Sequence, residues 1–76
     1  MQEREARLLS GSNDLEKIVI RASANSNGWI LTLVEKNGDV HQLNSKRSKE
    51  PREFKTSDAC LRCCTRIGIT SINVVL

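Results

Sequence analysis

The stretch Gly28-Trp29-Ile30-Leu31-Thr32-Leu33-Val34-Glu35-Lys36-Asn37-Gly38-Asp39-Val40-His41-Gln42-Leu43 decides the fold. Asn-Gly between two alternating apolar runs is a strong hairpin signal. Two registers compete. A two-residue Asn37-Gly38 loop places Leu33 opposite Gln42. A three-residue loop, with Gly38 in the left-handed region, pairs Glu35 with Asp39, Leu33 with His41 and Leu31 with Leu43. Only the second collects Trp29, Leu31, Leu33, His41 and Leu43 on one face. A one-residue slip would scatter that set, so the pattern selects the three-residue loop.

The rest of the chain is read outward from this hairpin. Lys17 to Ala22 alternates, with Ile18, Ile20 and Ala22 on one side, and reads as a first strand. Asn25-Ser26-Asn27-Gly28 is turn chemistry leading into the second. Asn44 to Arg52 is a polar loop. Glu53-Phe54-Lys55 reads as a short edge segment with Phe54 turned inward. Thr56 or Ser57 suits a helix N-cap, and Asp58 suits the positive first turn. The helix reaches about Ile67, where Gly68 stops it. Residues 71–76 are rich in β-branched residues and read as a last strand.

Residues 1–14 hold two Arg, three acidic residues and a Ser-Gly-Ser-Asn-Asp stretch. A helical turn or two over Glu3–Leu9 is marginal alone, so the segment reads as a mobile tail before one domain spanning 15–76. The expected class is α+β: a small β-β-β-α-β domain with an antiparallel or mixed sheet and one helix on one face. The other face then carries Ile30, Thr32, Val34, Val40 and Gln42. It is a partner or homodimer surface unless the tail or another strand covers it.

With 76 residues, one Trp, one Phe and no Tyr, the core must be built from aliphatic residues and cysteine. Such a domain is marginal unless stapled or oligomeric, which favours a homodimer. No run approaches the ~18 apolar residues that span a bilayer. The mixed-charge start lacks the apolar region of a signal peptide. No membrane association is expected, and the expected location is cytoplasmic.

Cys60, Cys63 and Cys64 are odd in number and tightly clustered, which argues against a disulfide framework. A zinc site would need a fourth ligand, and His41 is the only histidine. A redox reading would need a βαβ context that so short a chain does not supply well. Positions 60, 63, 64 and 67 instead share one helix face, so the thiols read as small buried hydrophobes. His41 has no nucleophile or acid positioned beside it by spacing. No Gly-rich phosphate loop, paired carboxylates or nucleophile elbow is present, so neither an enzyme nor a cofactor is expected.

Charge is unevenly placed. Residues 1–44 balance to −1 and residues 45–76 to +4. Lys46, Arg47, Lys49, Arg52 and Lys55 fall within ten positions, and Arg62 and Arg66 share a helix face at i, i+4. A basic loop beside a basic helix face neutralises phosphates. Glu50 and Glu53 interrupt the run, however, and no aromatic is interleaved for base stacking. An ordinary solvated loop is the competing reading.

The stretches Gly28–Glu35, Gly38–Leu43, Glu50-Pro51-Arg52-Glu53-Phe54-Lys55-Thr56-Ser57-Asp58-Ala59 and Arg66-Ile67-Gly68-Ile69 resemble small plasmid-encoded proteins. These are ParC-type partition-associated proteins, unrelated to the topoisomerase subunit of similar name, and accessory proteins of plasmid stabilisation modules. The resemblance spans about residues 28–76. It implies plasmid or mobile-element maintenance through binding DNA or a DNA-bound protein partner. The alternative is an antitoxin-like or inhibitor module that uses the apolar sheet face.

Overall fold

A computed structural model describes residues 1–23, 28–45 and 50–75. Helix α1 (Glu3–Gly11) precedes strands β1 (Leu15–Ala22), β2 (Trp29–Glu35) and β3 (Val40–Gln42). Helix α2 (Ser57–Ile67) and strand β4 (Ile72–Val75) follow. The sheet is mixed, in the order β3-β2-β1-β4, with β4 parallel to β1 and the other pairs antiparallel. The domain is therefore α+β, as the strand and helix patterns predict, with one helix more than expected.

The hairpin adopts the three-residue loop. Leu33 pairs with His41, and the Glu35 amide donates to the Asp39 carbonyl at 2.8 Å. The Gly38 amide closes the turn on the Glu35 carbonyl at 3.0 Å, with φ at 97°, a conformation that L side chains rarely adopt. Leu31, Leu33 and Leu43 are consequently all buried on one face, beside Ile18 and Ile20 of β1. A bulge between Leu15 and Lys17 extends that face. Plain alternation would send Leu15 and Ile18 to opposite sides; the extra residue turns both inward.

Helix α2 supplies the other half of the core. Thr56 is its N-cap, the hydroxyl accepting from the Ala59 amide at 3.1 Å. Gly68 ends it in the left-handed region, its amide donating to the Cys64 carbonyl at 2.9 Å. Cys60, Cys63, Cys64 and Ile67 are buried along one face, as their spacing predicts. Phe54 pairs with Trp29 through two backbone bonds of 2.7 and 2.8 Å and buries its ring.

The first fourteen residues depart from expectation. They do not form a mobile tail: residues 3–11 are helix α1, and Ala6 is fully buried in the core with Leu9 packed against it. Local propensity is weak here, and the helix is stabilised by its tertiary contacts. The Met1 carbonyl accepts from the Asn44 amide at 2.7 Å, fixing the start of the chain against the end of the hairpin. Because α1 joins the same core as α2, the helices cover one face of the sheet and leave the other to the outward side chains.

Gly68 is the stop that both releases α2 into β4 and lets α1 pass close by. A Cβ there would stand 3.4 Å from the Ser10 hydroxyl on a backbone at φ 93°. Gly68→Ala is expected to lower stability by about 1 kcal/mol. Urea unfolding reads this as a lower midpoint at unchanged slope; an unaltered midpoint would contradict the assignment of a left-handed cap.

Candidate functional site

Three arginines, Arg7, Arg52 and Arg66, converge on one carboxylate. Glu3 sits in the first turn of α1, where its charge also complements the positive end of the helix. Its side chain is only 12% exposed. Arg7, one turn along, donates to Oε2 at 2.9 Å. Arg66, in the last turn of α2, grips both oxygens, Nη2 to Oε1 at 3.1 Å and Nε to Oε2 at 3.4 Å. Arg52 approaches Oε1 at 3.5 Å while its guanidinium lies 4.7 Å from the centre of the Phe54 ring. From below, the buried Cys63 thiol donates to Oε1 at 3.3 Å.

The electrostatics follow from this geometry. The Arg66 hydrogen bonds, aided by those of Cys63 and Arg7, outweigh burial and hold the Glu3 carboxyl at about 2, against an ordinary 4.5. Burial, and then the hydrogen bond to Glu3, push the Cys63 thiol up to about 12. Burial likewise raises Cys60 to about 11 and is the main influence raising Cys64. All three are neutral thiols at physiological pH, packed in the core rather than poised as nucleophiles.

Three guanidinium groups around one carboxylate leave two positive charges in excess. Their outward faces remain open: the side chains of Arg7, Arg66 and Arg52 are 57%, 49% and 34% exposed. Beside them lies an open depression lined by Gln2, Glu3, Arg4, Arg7 and Leu8. The arrangement is an array of pre-positioned planar donors, which suits phosphate or carboxylate oxygens.

Of the basic residues expected to contact nucleic acid, Arg52 and Arg66 are brought together at Glu3. Arg62 is exposed on α2 and Lys55 is exposed just before its N-cap. Lys46, Arg47 and Lys49 lie outside the described residues. Arg4 and Arg7, which belong to the expected tail, stand on α1 beside this cluster. The legible signal for them was the Glu3–Arg7 pair at i, i+4, which is helical spacing.

The expected partner surface, Ile30, Thr32, Val34 and Val40, lies with Gln42 on the sheet face away from the helices. Val40 is 60% exposed, whereas Ile30, Thr32 and Val34 are half-buried by their neighbours. The N-terminal segment does not cover this face, since α1 packs on the other.

Nothing in comparisons with known protein families, curated proteins or solved structures matches this chain. Among the described residues, no helix is long and apolar enough to cross a membrane.

The Glu3 carboxyl ties stability to pH with a definite sign. Its lowered value means the stabilisation is complete above about pH 4.5 and is lost as pH falls toward 2. Because the arginines are substantially exposed, its size is discounted for screening to on the order of 1–3 kcal/mol. Glu3→Gln is therefore expected to destabilise by that amount at neutral pH and by progressively less below pH 4.5. Denaturant unfolding at several pH values checks this, and a difference independent of pH would refute it.

Proposed function

We propose that this protein is a non-enzymatic binding domain that docks on the phosphate backbone of DNA, or on a DNA-bound partner, in plasmid or mobile-element maintenance. The observation that carries the binding reading is the convergence of Arg7, Arg52 and Arg66 on Glu3, with guanidinium faces left open to solvent. The carboxylate fixes the arginines in place before any ligand arrives, which lowers the ordering cost of binding a polyanion. Lys46, Arg47 and Lys49 stand in sequence just before Arg52 and add charge to the same part of the chain. The setting in mobile-element maintenance rests on the resemblance of residues 28–76 to small plasmid-encoded proteins.

Binding of this kind is electrostatic and weakly selective, because phosphate contacts position a protein while base contacts specify sequence. Log affinity for duplex DNA should fall with log salt, by roughly 0.9 per phosphate neutralised. Changing Lys46, Arg47 and Lys49 together to Ala should weaken binding to two unrelated duplexes about equally and make that slope shallower. Fluorescence anisotropy across a salt series measures both. Failure of both duplexes to bind at low salt would overturn the reading; strong preference for one would show a base-reading element.

A second reading is favoured by the uncovered sheet face. Val40 at 60% and Val75 at 42% exposed leave apolar surface that a second copy or a protein partner would bury. If that surface mediates a homodimer, Val34→Lys places a charge in the contact and should shift sedimentation toward monomer. A wild-type chain that stays monomeric at high concentration would exclude self-association.

A further inference from the structure

We propose that the β2–β3 hairpin carries a site for a divalent transition metal, formed by Glu35, Asp39 and His41. The donor atoms of these three residues lie within 4.8 Å of one another. The register explains why. Glu35 is two residues beyond Leu33, and Asp39 is two before His41, the residue that pairs with Leu33. Alternation then sends all three side chains to the same side of the hairpin. They gather at its tip, beyond the buried Leu33.

The backbone beneath the cluster is fixed before any ion binds. The Glu35 and Asp39 backbones are bonded to each other at 2.8 Å, and the Asn37 side-chain Oδ1 accepts from the Asp39 amide at 2.9 Å. Donors on one rigid turn converge with little ordering cost. The Glu35 side chain is 15% exposed and touches the imidazole, Oε2 to His41 Nε2 at 2.7 Å. Asp39 faces solvent and offers the entry path.

The donor set selects the class of ion. One imidazole with two carboxylates is borderline in softness, which favours zinc, cobalt, nickel or iron(II) over calcium or magnesium. In a tetrahedral zinc site with bonds near 2.0–2.2 Å, donor atoms stand roughly 3.4 Å apart. The 2.7 Å contact would open slightly, and the remaining separations, none above 4.8 Å, would close by side-chain rotation. Three protein ligands leave one position for water or an external ligand. The cysteines are not part of the set, because they are buried in the helix-facing core as protonated thiols.

The probe is cobalt(II) chloride added to the full chain, followed by displacement with zinc chloride. One cobalt per chain is expected, without the thiolate-to-cobalt charge-transfer absorption that a cysteine site would give. Paramagnetic broadening in amide NMR spectra should centre on residues 33–42. Glu35→Gln, Asp39→Asn and His41→Gln should each weaken binding at least about tenfold, a loss that even an outer-shell partner commands. Because broadening is read on the wild-type chain, the test does not depend on any variant folding. No stoichiometric binding, a thiolate band, broadening centred elsewhere or undiminished affinity in folded variants would each overturn the proposal.

Discussion

The carboxylate of Glu3 is the interaction on which the two halves of this domain depend. It is the point where the first turn of α1, the segment before α2 and the last turn of α2 meet. A buried or half-buried carboxylate costs several kcal/mol unless it is matched by donors. Here three guanidinium groups and a thiol match it, and the carboxyl falls to about 2. The same contact ties the short, polar helix α1 to α2. Ala6, Leu9 and Met1 pack against the core on the same segment.

Beneath that ionic knot lies a one-sided core. Ile18, Ile20, Leu31, Leu33 and Leu43 form its floor, and Cys60, Cys63, Cys64 and Ile67 its roof. Cysteine suits this position because it is small and apolar, so α2 approaches the sheet closely. With little aromatic area to bury, the domain relies on register and caps for uniqueness. Gly38 sets the first and Thr56 with Gly68 the second. A shift of one residue in the hairpin would part Leu43 from Leu31 and Leu33 and send it to the opposite face.

Elements defined by near neighbours in sequence were legible; those defined by distant ones were not. The Asn37-Gly38 turn, the Thr56 cap and the Gly68 stop each act over a few residues; the turn and the stop stand where the pattern places them, and the cap is Thr56, one of the two residues the pattern offers. Helix α1 escaped because the contacts that hold it are distant in sequence, the one between Glu3 and Arg66 spanning 63 positions. The bulge at Leu15 escaped because an extra residue breaks the very alternation by which strands are recognised. For the candidate site, sequence marked Arg52 and Arg66 as basic but could not show that they share an anion. It assigned Arg4 and Arg7 to a tail. The cluster of Glu35, Asp39 and His41 follows from the hairpin register, yet it reads as metal-binding only once the three donor atoms are seen side by side.

The fold and the proposed binding surface meet at Glu3. The carboxylate that fastens the helices also holds Arg7, Arg52 and Arg66 with their open faces outward, so one contact stabilises the fold and organises the basic surface. The direct test is a carbon-13 NMR titration of the Glu3 side-chain carboxyl in the native protein. The account predicts a midpoint near 2, well below the ordinary 4.5. A midpoint close to 4.5 would mean that the arginines do not gather on Glu3, and the central claim would fall.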